Sequence, residues 1–163
     1  MHNNRLHVAL ECKSQVVPSF GNNANNRSDE AIGNAECPLT AFRERRLGDT
    51  VTHPFFGYVF VLEDRPKVHE PVPIQEPHFP VDPAFLFQPE TLIRQRRAGV
   101  SYAKRYEMLI ERLLLESKYD AGCLTLAKKG PPPTVAFPNA ALSAQNFLAR
   151  LHGFVVGAVA SGL

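Results

Sequence analysis

At 163 residues, with 44% apolar and 9% aromatic content, the chain fits one domain with a real core and has the composition of an ordinary globular protein. A formal charge of +2 permits a nucleic-acid partner without arguing for one, because the distribution of charge matters more than its sum. Cys12, Cys37 and Cys123 lack Cys-x-x-Cys spacing, which excludes an encoded zinc site or disulfide framework and fits reduced thiols in a cytoplasm. No apolar run approaches a membrane span and the start, "MHNNRLHVALECK", lacks a signal-peptide core, so a cytoplasmic protein without a membrane partner is expected.

Residues 6–12 alternate, with Leu6, Val8, Leu10 and Cys12 on one side and His7, Ala9, Glu11 and Lys13 on the other. That period of two predicts a strand whose Leu6–Cys12 face is buried, ended by Pro18 and Gly21. From about Asn22 to Leu47, Ala31, Ile32, Ala35, Leu39 and Phe42 recur at helical spacing; Pro38 should kink or break that helix, and Gly48 should stop it. "PFFGYVFVLED" (54–64) predicts a central buried strand. Residues 65–100 form a proline-rich and basic loop region, with Arg94, Arg96 and Arg97 near its end. "SYAKRYEMLIERLLLESKY" (101–119) predicts a helix capped by Ser101, with Tyr102, Tyr106, Leu109, Leu113 and Leu114 as its apolar stripe. "AGCLTLA" predicts a further strand, "KKGPPP" a loop tip, and Asn139 the cap of a last helix running to about His152. This alternation predicts an α/β fold in a single domain over 1–163, with a mixed central sheet flanked by helices.

The chemistry centres on Glu11-Cys12-Lys13. A carboxylate on a strand can hold a hard divalent cation, which polarises a phosphate and makes hydroxide available near neutral pH. A lysine on the same face can orient or deprotonate the attacking water and offset charge growing on the phosphate. Period two puts Glu11 and Lys13 on one face, and leaves the Cys12 backbone carbonyl as a further metal ligand while its side chain enters the core. The spacing alone also fits a charge pair that protects an edge strand. Glu116-Ser117-Lys118 matches it equally well inside the predicted helix, where residues two apart diverge around the axis. Of the six histidines, His7 alone shares a face with Glu11, and Glu63 or Asp64 at the end of the central strand could approach the metal.

"ECKSQVVPSFGNNANNRSDEAIGNA" resembles the Glu-x-Lys-Ser-Gln strand and Asn-rich turn of the XhoI-type restriction endonucleases. The resemblance continues in "GYVFVLED", "EPHFPVDPAF" and "SYAKRYEMLIERLLLESKYDAGCLTL". It implies a PD-(D/E)xK nuclease fold and a magnesium-dependent Type II restriction enzyme that cuts both strands of double-stranded DNA as a homodimer, with CTCGAG as the family's target. By position it implies Glu11 as a metal ligand beside the Cys12 carbonyl, Lys13 as the catalytic lysine, and Gln15 as a supporting residue. It also implies that Asn22, Asn23, Asn25, Asn26 and Arg27 contact DNA at the start of the following helix, whose amides suit phosphate. The family's fold takes an acidic residue from an earlier strand, whereas ten residues precede Glu11 here and none is Asp or Glu. The expectation is therefore a domain lacking its N-terminal part, which by itself would cleave poorly or not at all. Val17, Ala24, Cys37-Pro38 and residues 86–100 depart from the family pattern.

Arg43, Arg45, Arg46, Arg94, Arg96, Arg97, Lys104, Arg105, Lys128 and Lys129 could line a phosphate-binding surface or serve solubility alone. Two further readings stay open at this stage: a non-catalytic DNA-binding remnant, and a small domain whose amphipathic helix serves protein association.

Overall fold

The computed structural model describes residues 5–18, 20–48, 52–74 and 99–162. In chain order these form β1 (Val8–Gln15), α1 (Phe20–Arg43), β2 (Phe55–Glu63), α2 (Pro66–His69), β3 (Val72–Pro73), β4 (Gly99–Val100), α3 (Tyr102–Leu115), β5 (Ala121–Lys128), β6 (Thr134–Ala136), a 3-10 turn (Ala140–Leu142) and α4 (Ala144–Ala160). The main sheet has the order β1-β2-β5-β6; β1, β2 and β5 run parallel and β6 is antiparallel to β5. The mixed sheet flanked by helices agrees with the α/β expectation.

β2 is central and buried along most of its length, as a continuous apolar run in a sheet covered on both faces must be. Tyr58, Phe60 and Leu62 point to one face, where Phe20, Ala24, Ala31 and Ala35 of α1 and Tyr106, Ile110 and Leu113 of α3 complete the larger core. Phe60 and Tyr106 stack with ring centroids 4.1 Å apart, a contact worth about 0.5–1.5 kcal/mol beyond the area it buries. On the opposite face Phe55, Ala121 and Cys123 pack against Phe147 of α4. Asp120 ties β5 to β2 through two bonds, its carboxylate accepting from the Phe56 N–H and its own N–H donating to the Phe56 carbonyl, each at 2.7 Å.

Several expectations change. The two faces of β1 are reversed: Leu10 is exposed, the Cys12 side chain is exposed instead of entering the core, and Gln15 is buried. Among the described residues β1 is an edge strand of this sheet; α1 lies across its Glu11–Gln15 face, while α4 reaches the other face near Val8 and Leu10. α1 begins at Phe20 and passes through Pro38 unbroken, because Ala31, Ala35 and Leu39 dock on the core on both sides of that residue. Ser101 caps α3 as expected, accepting from the Lys104 N–H at 3.2 Å, but the helix ends at Leu115. Ser117 follows at φ 54°, so the Glu116-Ser117-Lys118 triplet lies at a helix end. Asn139 caps only the 3-10 turn; Ser143 caps α4, which runs to Ala160. Within the expected loop region, Pro66–His69 is a helical turn and Val72–Pro73 pairs with Gly99–Val100. Arg94, Arg96, Arg97 and "EPHFPVDPAF" lie outside the described residues. Among the described residues no helix is long and apolar enough to cross a membrane.

A Cβ added at Gly122 would run into the Cγ2 methyl of Ile110 and lie 3.4 Å from Leu114, both on α3. Gly122→Ala is therefore expected to overpack the α3–β5 seam and destabilise the protein by about 1–3 kcal/mol, read as a lower urea midpoint. An unchanged midpoint would contradict this packing.

Candidate active site

The inward stripe of α1 is built from small residues, Ala24, Ala31 and Ala35, with Arg27 occupying one of its positions. Small side chains let the helix approach the sheet, and the residues beside the stripe, Glu30 and Asn34, then face the charged side of β1. Lys13 Nζ lies 3.3 Å from Glu11 Oε1 and 3.5 Å from Glu30 Oε2. Asn34 Nδ2 donates to Glu11 Oε1 at 2.8 Å. The Tyr119 hydroxyl, delivered by the segment between α3 and β5, donates to Glu11 Oε2 and lies 3.2 Å from the Ala31 carbonyl. Arg27 Nη1 bonds Glu30 Oε2 at 2.6 Å.

The electrostatics follow from this wiring. The hydrogen bond from Arg27, with help from Lys13, holds the Glu30 carboxyl below the ordinary carboxylate range. Burial, then the bond to Glu11, pushes the Tyr119 hydroxyl well up, so it acts as a donor at any ordinary pH. Tyr58 sits across from Glu11 in the β1–β2 register; burial and the Glu11 charge raise it too. Among the described residues its hydroxyl is buried without a hydrogen-bond partner, as are that of Tyr106, pushed up to about 12 chiefly by burial, and the Arg27 Nε.

Of the residues expected from sequence, the structure brings Glu11, Lys13 and Arg27 into one cluster. Gln15 is on the same face, buried, with its Nε2 donating to the Val16 carbonyl at 3.1 Å and its Oε1 unmatched among the described residues. The Phe55 N–H to His7 carbonyl bond sets the strand's alternation, which turns the Cys12 carbonyl to the side of β1 away from β2. Asn22, Asn23, Asn25 and Asn26 fall in the first two turns of α1; Asn26 is exposed, and Asn25 lines a cleft of about 310 Å³ with Ser28, Ile74, Arg105 and Tyr106. Arg27 turns inward to Glu30 instead. Glu63 does not join the cluster: it is buried and accepts from the Val17 N–H at 3.0 Å and from Arg65, while Asp64 pairs with His69. Glu116 and Lys118 part ways, to Arg112 and Glu36. Arg43 and Lys129 are also engaged within the fold, by Glu36 and Glu63.

Sequence reasoning missed Glu30, Asn34, Tyr119 and Tyr58. The available signal was the interruption of a small apolar stripe by Arg27, flanked by polar residues four apart. Carboxylate and carbonyl oxygens suit a hard cation such as magnesium. Among the described residues no three His, Cys, Asp or Glu groups converge as an all-protein cage would require, but magnesium keeps several waters and is held by one or two carboxylates.

Residues 1–138 match the family described as restriction endonuclease XhoI. The Type II restriction enzyme BstVI of Geobacillus stearothermophilus is 42% identical over 124 residues, which cover 76% of this chain and 50% of that protein. The Type II restriction enzyme XhoI of Xanthomonas vasicola is 45% identical over 69% of this chain and 40% of its own length, and AbrI of Azospirillum brasilense is 49% identical over 46% and 33%. The chain thus spans half or less of the length of these curated relatives. No solved structure matches it.

Glu63, outside the cluster, is likewise held as a charged carboxylate. The Val17 N–H first, then Arg65 and Lys129, lower its carboxyl from 4.5 to about 2. A depressed folded value means that its stabilisation is complete above pH 4.5 and is lost as pH falls toward 2. The stability gap between the native chain and Glu63→Gln should therefore be largest near pH 7 and narrow in urea titrations at pH 3. A gap independent of pH would refute this assignment.

Proposed function

The chain belongs to the XhoI family of restriction endonucleases, and from that premise we propose that it hydrolyses phosphodiester bonds of double-stranded DNA at a specific site. The carrying observation is the convergence of Glu11 and Lys13 on one sheet face beneath α1, with the Tyr119 and Asn34 bonds holding the carboxylate in place. Glu11 and the Cys12 carbonyl would hold magnesium, which when bound supplies polarisation of the scissile phosphate and a more acidic water. Lys13 orients or deprotonates the attacking water and neutralises charge developing on the phosphate. Gln15, buried two residues further along the same face, supports the strand end that carries them. Asn22, Asn23, Asn25 and Asn26 address the DNA from the first turns of α1, through phosphates or base edges. A palindromic target such as CTCGAG is met most simply by a twofold homodimer, one active centre per strand. The reaction belongs to the cytoplasm, where scattered cysteines stay reduced.

One observation favours a second reading, that of a non-catalytic DNA-binding protein. Both Glu11 oxygens already accept bonds from side chains of this chain, from Tyr119 and from Asn34, an arrangement that a purely structural cluster would also show.

Digestion of a plasmid carrying CTCGAG by the purified chain, with and without magnesium, separates the two. The nuclease reading expects magnesium-dependent cutting that Lys13→Ala slows by about 100-fold or more while duplex affinity stays within a few-fold. Salt-dependent duplex binding with no cleavage, indifferent to Lys13→Ala, would establish the second reading. Absence of DNA affinity at low salt would overturn both and leave protein association.

A further inference from the structure

Beyond the Glu-x-Lys pair lies a second carboxylate whose position has a chemical meaning. We propose that Glu30 of α1 is the partner of Glu11 in a divalent-cation site, with the two carboxylates converging on the space that the Lys13 ammonium now occupies. This inference rests on the reading of Glu11 as the metal-binding residue and assigns the second ligand to the helix that follows β1.

Three observations carry it. First, one ammonium lies 3.3 Å from Glu11 Oε1 and 3.5 Å from Glu30 Oε2, so both carboxylates already face a single point of positive charge. A small hard cation held by two carboxylates, with its remaining positions left to waters and phosphate, would have the same charge demand there. Second, the Tyr58 hydroxyl is fully buried on this sheet face, opposite Glu11 in register, and has no hydrogen-bond partner among the described residues. Glu11 and Glu30 both act on it electrostatically. A buried donor left unmatched costs free energy, and an oxygen ligand lodged between the carboxylates would match it. Third, the surroundings keep Glu30 charged and in place: Arg27 Nη1 holds its Oε2 at 2.6 Å, and Arg27 itself is seated in the inward stripe of the helix. Displacement by a cation would free Lys13 to turn toward a phosphate, which is where the proposed chemistry needs it.

Terbium is a suitable probe, since a hard trivalent ion takes oxygen ligands and its emission is sensitised by nearby tyrosine. The chain has four tyrosines and no tryptophan, and Tyr58 and Tyr119 border the cluster. Titration of the purified full chain with terbium, excited in the tyrosine band, should saturate near one equivalent and be reversed by magnesium. Glu11→Gln and Glu30→Gln should each weaken terbium binding by roughly tenfold or more. Glu111→Gln, remote from the cluster and bonded to Asn139, should leave it unchanged. Urea midpoints for the variants confirm that they fold; Glu30 is about half exposed on a helix surface, so its amide is expected to be tolerated. Loss with Glu11→Gln but not with Glu30→Gln would overturn the role of Glu30 and leave the Glu11 reading intact. Indifference to both substitutions, or no sensitised emission, would overturn the two together.

Discussion

A carboxylate placed on the core-facing side of a strand must be matched, and that constraint organises this domain. Glu11 shares its sheet face with Tyr58, Phe60 and Leu62, the center of the larger core. An isolated charge there would cost several kcal/mol, so the fold surrounds it with donors: a phenol from Tyr119, an amide from Asn34 and the Lys13 ammonium. Each donor fixes an element. Asn34 sets the rotation of α1 over β1, Tyr119 sets the path between α3 and β5, and Lys13 draws in Glu30. The same requirement explains why the inward stripe of α1 is made of alanines, since only a close helix brings short polar side chains within reach of the strand.

Much of the architecture was legible because several elements carry a strong local pattern. The apolar run Phe55–Glu63 could only be a strand buried on both faces, and the stripe and Ser101 cap of α3 announce a helix. Membership of β1 in the sheet was equally plain, but its orientation was not. Alternation says that Leu10 and Glu11 oppose each other; it does not say which of them a helix will cover. The coverage was decided by α1 and α4, and hydrophobicity alone chose the wrong side. Strand β6 went unseen for a related reason: Thr134–Ala136 is exposed and owes its conformation to backbone pairing with β5. Pro38 did not end the helix, which is docked on the core by Ala31 and Ala35 before it and Leu39 after it.

The candidate site divides along the same line. Glu11 and Lys13 belong to one short motif and could be read directly. Glu30 and Asn34 lie on the next element and needed only the helical phase, whereas Tyr119 comes from the segment between α3 and β5. No spacing rule reaches that far. Asn25 and Asn26, by contrast, look outward, Asn26 exposed and Asn25 beside the cleft shared with Arg105. α1 thus presents one surface to the carboxylate cluster and another to whatever approaches from solvent, and a shift in the helix would be felt on both.

The bonds to Glu11 span very different distances along the chain: Asn34 is 23 residues away and Tyr119 is 108. The Asp120 clamp on Phe56, next to Tyr119, forms only when β5 has found β2. Contacts of such long sequence separation come late in folding, after the entropy of closing large loops has been overcome. A peptide carrying β1 and α1 would hold the motif and its helical neighbours but lack the phenol that orients the carboxylate. The orientation of Glu11 is therefore a property of the assembled sheet and not of the short motif that carries it.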